Sequence, residues 1–299
     1  RALGDGNKTH YFYMQASRIG HANEFNQMVV GFSNEDEDKE KELLLKQALI
    51  AAKNSDQAKT SFLFNMSHDI RTPMNAIIGF TDIAMNHIDD KDRVVDSLQK
   101  VKTSSTHLLS LINDVLDMSR VQSGKVEIEE KPLNIDVLVD NLSSMVAGTA
   151  YEKNLDFSCK VDGSIKHHWL SIDRLRMMRI LTNVISNSIK YTKNGYVKVT
   201  VSEENCKKVG YATIVYTIED TGIGMSPEFV KEIFEPFARE KTSTESGIIG
   251  TGLGMAITKS LIDLMKGKIN VKSAIGEGTT VKITISYKIA KPQVFDADE

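Results

Sequence analysis

The run Ser67-His68-Asp69-Ile70-Arg71-Thr72-Pro73 sets an imidazole beside a carboxylate. A neutral imidazole is a competent nucleophile near pH 7. An adjacent carboxylate can hold the proton on one ring nitrogen and leave the other free to attack an electrophile such as phosphorus. At about 100° per residue the surrounding segment sorts into two faces. Phe62, Met66, Ile70, Met74, Ile77 and Phe80 lie on one, and His68, Arg71, Thr72 and Asn75 on the other. His68 is therefore expected to point to solvent. A lone histidine so placed is ordinarily a solvated surface side chain. Here Asp69 is adjacent, Thr72 lies one turn on, and Pro73 interrupts a helical pattern that continues past it, which frees a carbonyl and bends the helix. Together they make His68 a candidate nucleophile.

A second constellation lies downstream. Asn183, Asn187 and Lys190 recur at i, i+4 and i+7 among Ile180, Leu181, Val184, Ile185 and Ile189, so three polar side chains share one stripe of an otherwise apolar helix. Such a stripe is commonly the solvated side of an amphipathic helix, and the segments that follow point instead to a ligand. Asp220-Thr221-Gly222-Ile223-Gly224-Met225 follows a strand-like run, and Gly250-Thr251-Gly252-Leu253-Gly254-Met255 opens a helix-like one. Glycine lets the backbone approach a ligand closely, and a helix N-terminus favours phosphate. No βαβ unit with a ribose-binding acid surrounds these glycines, and they do not match a P-loop, so a dinucleotide fold is disfavoured.

Long helices and a mixed sheet are what must position these groups. Within residues 1–34 two strand-like runs, Tyr11 to Ile19 and Phe25 to Phe32, flank a turn at Gly20; a lone hairpin buries too little to stand alone. The charge run Glu35 to Glu42 enters a helix whose seam, Leu44, Ala48, Ala51, Ser55, Ala58 and Phe62, steps by four and three, predicting a coiled-coil linker over 35–58. Val94, Leu98, Val101, Ser105, Leu108, Ile112, Val115 and Ser119 form a second seam after a turn at Asp89 to Asp92. The 59–124 segment is thus expected to be an α-helical hairpin, and burying its two narrow seams calls for a homodimer with a four-helix bundle. From 132 to 290 helices and strands alternate. Helices are predicted over Leu133 to Tyr151, Asp173 to Tyr191 and Leu253 to Met265. Strands are predicted over Phe157 to Val161, Trp169 to Ile172, Tyr196 to Glu203, Tyr211 to Glu219, Lys268 to Ser273 and Thr279 to Tyr287. Several strands are directly consecutive, so the expected fold is an α/β sandwich with a mixed sheet, followed by a tail at 291–299.

Composition narrows the classes. The 299 residues suggest about two domains, and 41% hydrophobic with 26% charged residues is an ordinary globular balance. The net charge of -3, with no basic stripe among aromatics, argues against nucleic acid as a partner. The longest uncharged stretch, Ser246 to Thr258, is 13 residues with four glycines, whereas a membrane span needs about 20 apolar residues; no membrane segment is expected here. The start at Arg1 suggests a piece of a longer protein. Cys159 and Cys206 lack metal-ligand spacing and any disulfide framework, which fits a reducing compartment.

The Ser67 to Pro73 run closely resembles the phosphoacceptor motif of bacterial sensor histidine kinases. Asn183 with Asn187, Asp220 to Gly224, Phe234-Glu235-Pro236-Phe237 and Gly250 to Gly254 resemble, in order, the nucleotide motifs of their catalytic domain. That domain shares a superfamily with DNA gyrase, the mismatch-repair ATPases and the ninety-kilodalton heat-shock chaperones. The resemblance runs from about Lys39 to Tyr287, and residues 1–34 look like the last strands of a PAS domain. It implies an ATP-dependent protein-histidine kinase that phosphorylates His68, with Asp69 orienting the imidazole and Thr72 helping to position water for dephosphorylating a partner. By the same resemblance ATP is bound by Asn183, Asn187, Lys190, Tyr191, Asp220, Gly222, Gly224, Arg239, Lys241, Gly250, Thr251, Gly252, Leu253 and Gly254. Asn187 would coordinate Mg²⁺, Asp220 would accept the adenine amino group, and Pro236 to Gly250 would form a lid carrying Arg239 and Lys241 to the phosphates. The partners implied are a second copy and a response-regulator receiver domain, separate or fused in the parent chain, in the cytoplasm, with a membrane anchor elsewhere in the parent left open. Where the superfamily's ATPases carry a water-activating glutamate this chain has Asn183, which cannot act as a base, so hydrolysis should be slow. Three positions depart from the family pattern: Asp69 where glutamate is frequent, Arg179 where glutamine is frequent, and Met255 where leucine is usual. The latter two are expected to touch no chemical role. The competing readings are a conformational ATPase and a nucleotide-binding pseudokinase.

Overall fold

The structure, a computed structural model, describes residues 2–5, 8–19, 27–34, 36–124, 126–238, 240 and 252–292. The chain divides into two units, Arg1–Met66 and Ser67–Glu299. In the first, three antiparallel strands, β1 (Ala2–Asp5), β2 (Lys8–Ile19) and β3 (Gln27–Asn34), form a sheet in that order. β1 is additional to the two strands expected: four residues carry too short an alternation to register, and pairing with Lys8 to Tyr11 supplies what propensity lacks. Helix α1 (Asp36–Asn86) runs without a break from the charge run through the phosphoacceptor motif and across Pro73.

In the second unit a short turn, with the Asp90 amide donating to the His87 carbonyl at 2.9 Å, leads into α2 (Lys91–Gln122). The Lys100 ammonium lies 5.2 Å from the Phe80 ring, so α2 doubles back beside α1. Among the described side chains of α2, Ser97, Leu111 and Met118 are buried within one chain, while the seam residues Leu98 and Ile112 stay exposed.

The rest is the expected α/β sandwich. Its sheet has the order β5-β7-β8-β10-β9, built from β5 (Asp156–Val161), β7 (Tyr196–Glu204), β8 (Tyr211–Asp220), β9 (Lys268–Ala274) and β10 (Gly278–Lys288). β5 pairs with β7 in parallel and every other pair is antiparallel, which makes the sheet mixed. Helices α3 (Ile135–Glu152), α4 (Arg174–Tyr191) and α6 (Gly254–Leu264) lie side by side on it, and their apolar faces form the core with Val197, Val199, Ile214, Ile218 and Ile283. α4 starts at Asp173, whose carboxylate accepts the Arg176 amide, as a capping aspartate should.

Leu133 belongs not to a helix but to a short strand, β4 (Lys131–Asn134), which pairs with β6 (Trp169–Ile172). Pro132 at a sheet edge and Asn134 as N-cap, accepting the Asp136 amide at 2.8 Å, move the helix start to Ile135. A one-turn helix, α5 (Pro227–Glu232), follows the first glycine run and is capped by Ser226. Among the described residues no helix is long and apolar enough to cross a membrane.

Candidate functional site

His68 stands on α1, and its side chain lies outside the described residues. Around it Asp69 and Ile70 are half-buried, Arg71, Thr72 and Asn75 are exposed, and Pro73 is buried. The exposed positions fall on the face expected to meet solvent. Met74, expected on the apolar face, is exposed in the single chain.

The nucleotide candidates gather in one cleft of about 360 Å³. Asn183, Asn187, Lys190 and Tyr191 come from α4, Asp220 and Gly224 from the end of β8 and the turn beyond it, and Gly252 and Gly254 from the approach to α6. The α4 stripe is half-buried, at the border between a face packed on the sheet and open space. This is the placement its i, i+4, i+7 spacing demands. The Lys190 ammonium rests 5.1 Å from the Tyr191 ring.

Asp220 is the buried acid of the cleft, 9% exposed. One oxygen, Oδ1, accepts the amides of Gly222 at 2.9 Å and Thr279 at 3.2 Å, and the Ser188 hydroxyl also hydrogen-bonds the carboxylate. Burial pushes its pKa above the ordinary value, and those three hydrogen bonds hold it part of the way back. With Oδ1 held by two amides, the carboxylate is an oriented acceptor at the cleft.

The glycines are needed for space. A Cβ at Gly222 would stand 2.9 Å from both Asp220 Oδ1 and the Tyr191 carbonyl oxygen, and one at Gly224, where φ is +66°, would stand 1.8 Å from the Ala274 carbonyl oxygen. The turn is tied down by the Ile223 amide donating to the Tyr191 carbonyl at 3.2 Å and the Gly276 amide donating to the Ile223 carbonyl at 2.8 Å. Leu253 is buried just before α6, and its side chain makes no cap hydrogen bond. Arg239, Lys241, Gly250 and Thr251, with most of the expected lid, lie outside the described residues. The flanks of that segment are joined: the Phe237 amide donates to the Gly252 carbonyl at 2.9 Å, with Phe237 at a φ of +65°.

Several neighbours of the cleft escaped the sequence reading. Thr279 holds Asp220 from a strand 59 residues away; the Gly276-Glu277-Gly278 turn was the available signal. His107, Ser110 and Asp114 of α2 form the cleft's outer wall. Arg179, one turn before Asn183, bridges Asp114 (3.3 Å) and Asp117 of α2, so this departure from the family pattern links α4 to the hairpin. Met255 also touches the site, its sulfur 3.9 Å from the Asn183 amide nitrogen. Met255 thus borders the cleft, while Arg179 ties α4 to the hairpin. Neither cysteine is bonded to the other; burial pushes the Cys159 thiol up to about 11.

Comparison with known proteins matches the same two regions. The family model of the His Kinase A (phospho-acceptor) domain matches residues 58–124, and that of the Histidine kinase-, DNA gyrase B-, and HSP90-like ATPase matches residues 172–289. The chain is 37% identical over 254 residues to sensor protein GacS of Pseudomonas syringae pv. syringae, covering 84% of this chain and 27% of that protein. It is 32% identical over 239 residues to the autoinducer 2 sensor kinase/phosphatase LuxQ of Vibrio parahaemolyticus serotype O3:K6, covering 79% of this chain and 27% of that protein. Among solved structures it resembles full-length ShkA in complex with AMPPNP, with a TM-score of 0.58 and 26% identity over 79% of this chain and 47% of that one. The chain thus spans only 27% of the length of each of these two curated relatives.

Proposed function

The chain belongs to the sensor histidine kinases, and on that premise we propose that it transfers the γ-phosphoryl group of ATP to His68 and then to an aspartate of a response-regulator receiver domain. One observation carries the reading. The polar stripe of α4 and the carboxylate of Asp220 converge on a glycine-walled cleft whose outer wall is α2 of the phosphoacceptor hairpin. His68 lies 18 residues before the end of α1 and Ser110 of the cleft wall 19 residues after the start of α2. At 1.5 Å per residue both are roughly 27–29 Å from the turn. The cleft therefore stands at the height of the histidine on the same hairpin.

The donor set fits the nucleotide. The carboxylate of Asp220 suits an adenine amino group, Lys190 and Tyr191 line the same cleft, and the amide groups near Gly252 and Gly254 suit phosphate. Asn187, a neutral oxygen donor at the cleft, would hold Mg²⁺, which when bound neutralises charge on the phosphates. An attacking ring nitrogen of His68 would form an N–P bond as the bond from the γ-phosphorus to ADP breaks, and ADP leaves with the electron pair. The proton on the other nitrogen stays with the imidazole or passes to Asp69. Asn183 has no basic group, so water is not activated and the phosphoryl group is left for the histidine. Arg239 and Lys241 complete the reading as phosphate partners on the lid, and Thr72 as the residue that orients water when a phosphorylated partner is dephosphorylated.

We read 1–34 as the end of a PAS-like domain, 35–58 as a signalling helix, 59–124 as the dimerisation and phosphotransfer domain, 132–290 as the catalytic domain and 291–299 as a tail. The exposed seam at Leu98 and Ile112 supports a homodimer, and we read this portion as cytoplasmic, where ATP and a receiver domain would meet it. The linkage formed is the test: incubation with ATP and Mg²⁺ should give a phosphoryl group stable to base and released by acid, as a phosphoramidate is. A conformational ATPase would turn over ATP without that label, and a pseudokinase would bind nucleotide and do neither.

A further inference from the structure

The side chain of Asn183 has two unlike ends. Its carbonyl oxygen accepts hydrogen bonds or ligates a cation, while its NH₂ group only donates. The NH₂ end is turned to α6: Nδ2 donates to the Thr258 hydroxyl oxygen at 2.8 Å and lies 3.9 Å from Met255 Sδ. The carbonyl end lies against Gly254, where an added Cβ would stand 2.3 Å from Oδ1, and Asn183 borders the cleft. Thr258 is 2% exposed and is the one polar side chain among the buried residues of α6, the others being Ala256, Ile257, Leu261 and Ile262. A hydroxyl on that apolar face needs a partner, and Asn183 is the partner it has.

We propose that Thr258 is a positioning residue for the nucleotide site: by accepting the amide hydrogen of Asn183 it holds the carbonyl end of that amide towards the cleft, where Mg²⁺ or its coordinated water would meet an acceptor. This rests on the nucleotide reading above and adds a residue to it. The two orientations of an amide have nearly the same shape, so packing alone discriminates poorly between them; a buried acceptor on one side does. With the hydroxyl replaced by a methyl group, the NH₂ end loses its buried partner and can turn to the cleft, where it would oppose a cation. Gly254 completes the device, since no other residue leaves room for the carbonyl.

The full chain is titrated with trinitrophenyl-ATP in Mg²⁺ and again in EDTA, for the native protein, Thr258→Val and Thr258→Ser. Valine keeps the shape and removes the acceptor, and serine keeps the acceptor. Thr258→Val should bind roughly fivefold more weakly in Mg²⁺ and within about twofold of native in EDTA, the size of one lost hydrogen bond, with Thr258→Ser near native in both. Equal binding by the valine variant and native protein in Mg²⁺, equal weakening with and without Mg²⁺, or failure of serine to restore binding would each overturn the proposal. Native protein that binds no nucleotide in either buffer would overturn the nucleotide reading itself, and this inference with it.

Discussion

At the scale of single residues, Asp220 shows how a binding acid differs from a stabilising one. Its folded-state pKa is raised by burial, so the folded chain holds a proton there more tightly than the unfolded chain does. The stability it contributes is full below the unfolded pKa of about 3.9 and is lost as pH rises through the folded value. At pH 7 its ionised form works against folding. Asp220→Asn should therefore unfold at the same or a higher temperature than native at pH 7, with the gap closing towards acid. Both amide contacts fall on Oδ1, which the asparagine oxygen can reproduce, so the fold survives. The new NH₂ would face the adenine amino group donor to donor, and nucleotide affinity should fall by roughly tenfold or more, as when a buried donor is left unpaired. A lower melting temperature with unchanged affinity would refute this. The two thiols give a second expectation. Cys159 is held high by burial and then by Asp140, whereas Cys206 is lowered, chiefly by hydrogen bonding from Thr213 and the Lys208 amide. Since the thiolate is the nucleophile, iodoacetamide at pH 8 should modify Cys206 well before Cys159, read by peptide mass.

At the scale of elements, the glycine runs do two different things, and substitution separates them. A Cβ at Gly224 would collide with backbone, the Ala274 carbonyl, at a positive φ; one at Gly254 would meet the side chain of Asn183. Gly224→Ala should cost about 2–4 kcal/mol of stability, measured by urea unfolding, because backbone must move. Gly254→Ala should leave stability within about 1 kcal/mol and instead weaken nucleotide binding, because only a side chain is displaced. The reverse pattern would contradict the assignment. Elements were readable in the sequence where their signal is local. The boundaries of α4 follow from a capping aspartate and an apolar period, and β6 carries a compact apolar run. β1 and β4 are four residues each and exist through partners, as β4 does through β6 some 37 residues on. The cleft was half legible for the same reason. Its glycines and asparagines sit in contiguous motifs, while Thr258, Thr279 and the Arg179 bridge to α2 join residues 75, 59 and 65 positions apart, distances at which no periodicity speaks.

At the scale of the molecule, the hairpin leaves an apolar face uncovered in one chain. Leu98, Leu109, Ile112 and Leu116 are all exposed on α2, and Met74, Ile78 and Met85 on α1. A stripe of that extent is what a second hairpin would cover. Leu98→Asp with Ile112→Asp should convert a dimer to a monomer in sedimentation without loss of nucleotide binding, since neither residue borders the cleft; a native chain that sediments as a monomer would contradict the bundle. The central claim joins the two regions: nucleotide held by the α4 stripe gives its phosphoryl group to the histidine of α1. Phosphoryl incorporation from γ-labelled ATP with Mg²⁺, measured side by side for the native chain, His68→Gln and Asn187→Ala, tests it most directly. The native chain should take up label, and both variants should take up none, His68→Gln while still binding nucleotide. Label retained on His68→Gln would contradict the account.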